Sequence, residues 1–282
     1  QPIWRFMMEN NIQLKEMIRS MVIDVLEGKK QETASSQHIK QASRGQVEPG
    51  VFDTVDEAIQ AAKVAQERFE DCTLATREKV IADIRAAMRP RVQELALKTV
   101  EETGMGRVAD KVLKLNLTLD KTPGVEDLVT ECETGDNGMT LYELSAYGVI
   151  GAITPSTNPA ETLICNTIGM LAAGNAVFFS VHPGAKHLSR LLVSELNQII
   201  FKSIGIENLI VTLSEPSIES AQEMMLHPDV SLLVVTGGPG VVKQALQSGK
   251  KVIGAGAGNP PAFVDETADI KKAAQDIVLG AS

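Results

Sequence analysis

The sequence predicts an α/β domain built on a parallel sheet with helices on both faces. Three observations predict it. Five apolar runs, Val149–Ile153, Ala176–Val181, Leu209–Leu213, Leu232–Thr236 and Val252–Ala255, are continuous rather than alternating, as strands buried on both faces are. Helical patterns at Glu161–Ala173, Ala185–Ile204, Ile218–Leu226 and Val241–Gln247 lie between them, and strand–helix alternation is the mark of βαβ units. Four of the runs end in turns rich in Gly, Pro, Ser, Thr or Asn, and in such sheets ligands sit at the carboxyl ends of the strands.

The totals agree with a globular chain. Its 282 residues suffice for one large domain or two modest ones. Hydrophobic content is 44% and charged content 22%, ordinary values for a soluble protein. A net charge of −9 and a pI near 5.1 argue against a nucleic-acid partner or an anionic membrane surface. No apolar run approaches the roughly 20 residues that span a bilayer, and the N-terminus carries no secretory signal pattern. Cys72, Cys132 and Cys165 are odd in number and far apart, which is no disulfide framework and points to a reducing compartment. The histidines His38, His182, His187 and His227 form no HExxH, and CxxC is absent, so no metal site is expected.

In chain order, Gln1–Met7 fits nothing downstream, and Met8 reads as a start. Leu14, Met17, Ile18, Met21, Val22 and Val25 then form one stripe of a helix. Gly28–Gly50 is polar with few apolar residues and reads as a flexible linker. A helix tethered this way is free to dock on a partner groove; packing on its own domain is the alternative. The expected layout is an N-terminal extension over 1–27, a linker over 28–50 and the main domain over 51–282. The chain reads as helical from Val51. Val55–Phe69 opens after Asp53-Thr54 as N-cap, with Asp56 and Glu57 in the first turn. Thr76–Thr103 is amphipathic and is kinked or split at Pro90. After Gly104-Met105-Gly106, helix resumes over Val108–Leu119. Runs of β character around Val129–Glu133 and Met139–Leu144 flank Gly135-Asp136-Asn137-Gly138, a hairpin signal. A lone hairpin is marginal, so it is expected to pair in a larger sheet or at a subunit contact. Beyond the strands, Asp269–Leu279 reads as one more helix.

The turns carry the chemistry. Thr154, Pro155, Ser156, Thr157 and Asn158 follow the first long strand. The Asn158 amide is placed either to cap a helix or to donate to a developing oxyanion, and on position alone capping is the simpler reading. His182, Pro183, Gly184 and Lys186 follow the second strand, where backbone close to a ligand and a plain turn with a solvated lysine both fit. Thr236, Gly237 and Gly238 follow the fourth and enter a helix at Pro239. A helix start offers free N–H groups to a pyrophosphate, although GxGxxG is absent. After the fifth strand, Gly254–Gly258 is a glycine run closed by Pro260 and Pro261, which reads as a loop over a ligand. Four such turns on one edge outweigh the plain reading of each. Cys165, inside a predicted helix, reads as buried packing, and Glu161 as a residue favoured by the helix dipole.

YGVIGAITPSTNPAETLICNTIGMLAAGN, HPGAK, VVTGGPGVV, GKKVIGAGAGNPPAFVDETAD, ETGMGRVADK and TPGVEDL resemble the CoA-acylating aldehyde dehydrogenases of bacterial microcompartments, the propionaldehyde and acetaldehyde dehydrogenases. The likeness covers about Val51 to Ser282. It implies an aldehyde-dehydrogenase-like, Rossmann-type α/β sheet with an oligomerisation hairpin over about 129–144. The implied reaction oxidises a short-chain aldehyde to acyl-CoA with NAD, through a cysteine thioester that coenzyme A cleaves. Asn158 matches the family's oxyanion donor. Thr154, Pro155, Ser156, His182, Pro183, Gly184, Thr236, Gly237, Gly238 and Gly256 match its cofactor-binding turns. No glutamate occupies the glycine run, where hydrolytic relatives carry a general base, which suits thiolysis. The N-terminal helix is similar to the family's encapsulation peptide, implying a shell-protein partner, a homo-oligomer and the lumen of a microcompartment in the bacterial cytoplasm.

The chain departs from the family in one respect. The family's nucleophilic cysteine comes just after the segment ending GAS, and none of Cys72, Cys132 or Cys165 matches it. The expectation is therefore a cofactor-binding part whose catalytic domain is missing, binding NAD without turnover. The alternative is a catalytically inactive NAD-binding or scaffold protein of a microcompartment. Val181 stands where the family usually has proline, a change of little expected effect.

Overall fold

A computed structural model describes residues 48–256, 258 and 261–281. The expected N-terminal helix and nearly all of the expected linker lie outside the described residues. Residues 48–282 form one compact unit. Glu48 Oε2 accepts from Arg190 Nη2 at 2.9 Å, and Gly50 is buried.

Six strands form one parallel sheet: β1 (Val51–Phe52), β4 (Val149–Ile153), β5 (Ala176–Ser180), β6 (Ile210–Leu213), β7 (Val230–Thr236) and β8 (Lys251–Ala255). Their spatial order is β1-β6-β5-β4-β7-β8. The five expected strands are all present, to within two residues at either end. β1 is an addition. Its two residues are too short for any periodicity, and it exists by pairing Val51 with Thr212 and Phe52 with Leu213. Chain progression reverses at β4, which pairs β5 on one side and β7 on the other. That reversal is the switch point where such sheets open a crevice.

Helices α5 (Pro159–Ala172) and α6 (Lys186–Ile204) pack together on one face. Behind them lie α2 (Leu74–Met88), α3 (Val92–Thr103) and α4 (Val108–Lys121). The long amphipathic stretch is split, not kinked: Arg89–Arg91 forms a 3-10 turn between α2 and α3. Pro90 has no N–H to give Ala86, and its ring would meet that carbonyl. The other face carries α1 (Val55–Glu70) and α7 (Ile218–Leu226), with α8 (Pro239–Leu246) against β7 and β8. Thr54 caps α1, its hydroxyl accepting from Glu57 N.

The core follows from the continuous strands. Phe178 and Phe179 point to opposite faces of β5, yet they are 1% and 0% exposed. Gly151 is dictated by packing: a Cβ there would lie 2.2 Å from Met224 Sδ and 3.0 Å from Leu233 Cδ2, so bare backbone lets α7 settle on β4. Asn175, 2% exposed, ties two strand starts together. Its Oδ1 accepts from Tyr147 N at 2.6 Å and Gly148 N at 3.1 Å.

The hairpin forms from β2 (Glu131–Gly135) and β3 (Gly138–Tyr142), closed by Asp136-Asn137. Among the described residues it is a two-stranded sheet by itself, and every residue of both strands is exposed. The larger sheet expected for it is not formed within these residues. The final helix, α9, spans Ile270–Ala281. No helix among the described residues is long and apolar enough to cross a membrane.

Candidate cofactor cleft

The turns after β4, β5, β7 and β8 meet in one cleft of about 670 Å³, within the range of small-molecule sites. Thr154, Pro155, Ser156 and Asn158 form one wall, His182 and Pro183 continue it, and Thr236, Gly237 and Gly238 face them with Gly256. Gly184 is the exception among the residues matched to the cofactor-binding turns. It does not line the cleft, and its N–H donates to His182 Nδ1 at 3.1 Å, fixing the ring of a residue that does.

Each wall is held by the fold. Thr154 N donates to Ser180 O at 3.2 Å, joining the first two turns. Gly237 N donates to Ala255 O at 3.2 Å, joining the last two. Gly238 is the N-cap of α8 and supplies no side-chain cap, so the helix presents first-turn N–H groups without an intrahelical partner. A Cβ on Gly238 or Gly256 would meet nothing within 4 Å. Packing inside the chain does not demand the bare backbone, and the space suits a close-lying anionic ligand.

Sequence reasoning missed part of the site. Ser217, Ile218 and Ala221, at the start of α7, also line the cleft. Ser217 caps that helix with a reciprocal Ser217–Ser220 box, a cap readable in the sequence; its approach to the cleft follows only from the β6-to-β7 crossover. The N-terminus of α6, just past the HPGAK turn, has no cap of its own. Glu102, at the end of α3, serves instead, its carboxylate accepting from His187 N at 2.8 Å and Leu188 N at 2.7 Å. Lys186 is not a solvated lysine: its ammonium meets Glu215 Oε2 at 2.6 Å, and that pairing holds the Glu215 carboxyl below the usual carboxylate range.

Asn158 is the N-cap residue of α5, yet it makes no side-chain cap hydrogen bond. Its amide is engaged elsewhere. Oδ1 accepts from Lys111 Nζ at 2.9 Å and from Lys114 Nζ at 3.3 Å, both on α4. Glu161 is buried, with Oε1 3.4 Å from Lys111 Nζ, so an ion pair rather than the helix dipole alone accounts for it. Cys165 lies on α5 as expected but is exposed rather than buried; Cys132 is exposed on the hairpin, and Cys72 is half-buried in the turn after α1. None of the three lines the cleft.

Comparison with known proteins places the chain. Residues 26–282 match the aldehyde dehydrogenase family. A CoA-propanoylating propanal dehydrogenase of Salmonella typhimurium is 52% identical over 253 residues, covering 89% of this chain and 54% of the relative. A propionaldehyde dehydrogenase from the fucose-utilisation bacterial microcompartment of Clostridium phytofermentans superposes with a TM-score of 0.78 at 52% identity, over 83% of this chain and 54% of that one. The Rhodopseudomonas palustris propionaldehyde dehydrogenase, solved with bound CoA and an acylated cysteine, gives a TM-score of 0.78 at 53% identity, over 82% and 53%. The chain spans about half the length of the curated relatives it matches.

Proposed function

The chain belongs to the aldehyde dehydrogenase family, and from that premise we propose that it is the NAD-binding part of a CoA-acylating aldehyde dehydrogenase acting on propionaldehyde or acetaldehyde. The observation that carries the reading is the cleft itself. Four strand-end turns converge there on the sheet's switch point with the Asn158 amide among them.

The residues present fit a dinucleotide. Thr236, Gly237, Gly238 and the start of α8 hold the pyrophosphate through backbone N–H groups. His182 and Pro183, with Ser217 and Ala221 opposite, hold the adenosine half. Thr154, Pro155 and Ser156 line the inner end, toward the nicotinamide. When bound, NAD supplies the hydride acceptor. Lys186 is engaged by Glu215, whose carboxylate charge disfavours a ribose phosphate beside it, which favours NAD over NADP.

Asn158 Nδ2 donates to the oxygen of the aldehyde carbonyl as a cysteine thiolate adds to the carbon and negative charge grows there. No cysteine of this chain lines the cleft, so that thiolate comes from outside it. Coenzyme A accepts the acyl group, and the glycine run after β8 brings no glutamate to activate water in its place. The N-terminal extension docks on a microcompartment shell protein, the whole protein works in that lumen, and the hairpin joins copies of the chain into a homo-oligomer.

The full-length protein tests this through NADH absorbance with propionaldehyde and CoA. The reading expects NADH to accumulate only when aldehyde, CoA and NAD are all present, and Asn158→Ala to lower kcat by about a hundredfold or more. No NADH from the full-length protein contradicts the enzyme reading and leaves an NAD-binding or scaffold protein.

A further inference from the structure

The ETGMGRVADK segment contributes no residue to the walls of the cleft, yet it ends in one that reaches the cleft from behind. Lys111 is 3% exposed. Its ammonium donates to Asn158 Oδ1 at 2.9 Å and to the carbonyl of Thr157. Glu161 stands beside it, Oε1 3.4 Å from Nζ, and neither Glu161 oxygen has a hydrogen-bond partner among the described residues. The loop before α4 makes room for the lysine. Gly106 has φ +79° and a Cβ there would lie 3.2 Å from Lys111 Cε. The same loop touches the strand-end turn, with Met105 Sδ 3.9 Å from Ser156 Oγ.

A carboxamide has two ends of similar shape, one accepting and one donating, and its partners decide which way it faces. An ammonium only donates, so the end of Asn158 toward α4 is Oδ1. Lys114 reinforces this from an exposed position at 3.3 Å. Among the described residues Nδ2 is left with a single hydrogen bond, 3.5 Å to Thr157 Oγ1. A cation on Oδ1 also draws density from the N–H groups and makes them stronger donors. A buried ammonium alone would be costly, and Glu161 supplies the compensating charge beside it.

We propose that Lys111, neutralised by Glu161, is a positioning residue that locks the Asn158 carboxamide with its N–H edge toward the cleft and strengthens it as an oxyanion donor. The oxyanion role rests on the function proposed above; the locking does not. Lys111→Met alone would strand the Glu161 carboxylate, so the test removes both charges in Lys111→Met/Glu161→Gln.

In the full-length protein this pair is expected to lower kcat about tenfold or more, the weight of one charge-assisted hydrogen bond. Aldehyde KM and NAD affinity should stay within about twofold, because neither group touches a ligand. Lys111→Arg should retain most of the activity. In an Asn158→Ala background the paired change should cost almost nothing further, because its effect passes through that amide. An undiminished kcat, or the same loss with and without Asn158, overturns the proposal. Should the full-length protein form no NADH at all, side-chain amide NMR on this chain decides the locking. In the parent the Asn158 NH2 protons are expected to show nuclear Overhauser contacts to Thr157, and in the paired variant contacts to the side chain at position 111 are expected to strengthen as the carboxamide flips; an unchanged pattern overturns the proposal.

Discussion

The two halves of the sheet differ in how far they are covered. Every residue of β4, β5 and β6 is buried, between α5 and α6 on one face and α1 and α7 on the other. On the far side of β7, four of the five β8 residues are exposed. Beyond it, Phe263 is 95%, Ile270 65% and Val278 67% exposed. Apolar residues are plentiful in both halves, so hydrophobicity alone does not separate them; what differs is whether two layers of helix close over the strand. The cleft lies across this boundary. Asn158 and His182 stand on the covered half, whereas Gly238 and Gly256 stand on the half with the open edge. A ligand in the cleft therefore joins a rigid wall to a looser one, and its binding energy should order the second more than the first.

The comparison can be broken by mutation. The largest effect is expected at Phe179, 0% exposed on β5, where Phe179→Ala should destabilise by about 3–5 kcal/mol. A loss below about 1 kcal/mol in denaturant unfolding, at unchanged m-value, would mean that the covered half is not the cohesive one. An intermediate effect is expected at Glu102. Glu102→Ala removes the borrowed cap of α6 and should cost about 1 kcal/mol, while weakening NAD binding through the HPGAK turn. An unchanged midpoint would show that α6 needs no outside acceptor. The smallest is expected in the open half, where Phe263→Ser should shift stability by no more than about 0.5 kcal/mol. A loss like that at Phe179 would erase the distinction.

Much of this architecture was legible in the sequence because its signals are local. Continuous apolar runs announce buried strands, and Ile218–Leu226 emerges with the bounds its pattern gives. Asp136-Asn137 closes the hairpin because its flanking glycines and polar pair suit a two-residue turn. The cleft was legible in outline because strand-end turns of one parallel sheet must share an edge. What escaped depends on partners distant in sequence. Glu102 caps α6 from 85 residues upstream of His187, and Lys111 meets Asn158 across 47. The misreading of Cys165 has a similar root: its helix is amphipathic enough to predict, but which side α6 and the sheet cover follows from packing, and that residue falls outside the contact. β1 escaped because two residues carry no period, and their strand partner, β6, lies about 160 residues away in sequence, Val51 pairing with Thr212.

Hydrogen exchange of the protein with and without NAD decides whether the dinucleotide bridges the covered and the open half of the sheet. NAD is expected to slow exchange at Ser156–Asn158 and His182 on the covered half, and to slow it more at Gly237–Val242 and along β8. No change on adding NAD, or protection confined to segments away from these turns, would contradict it.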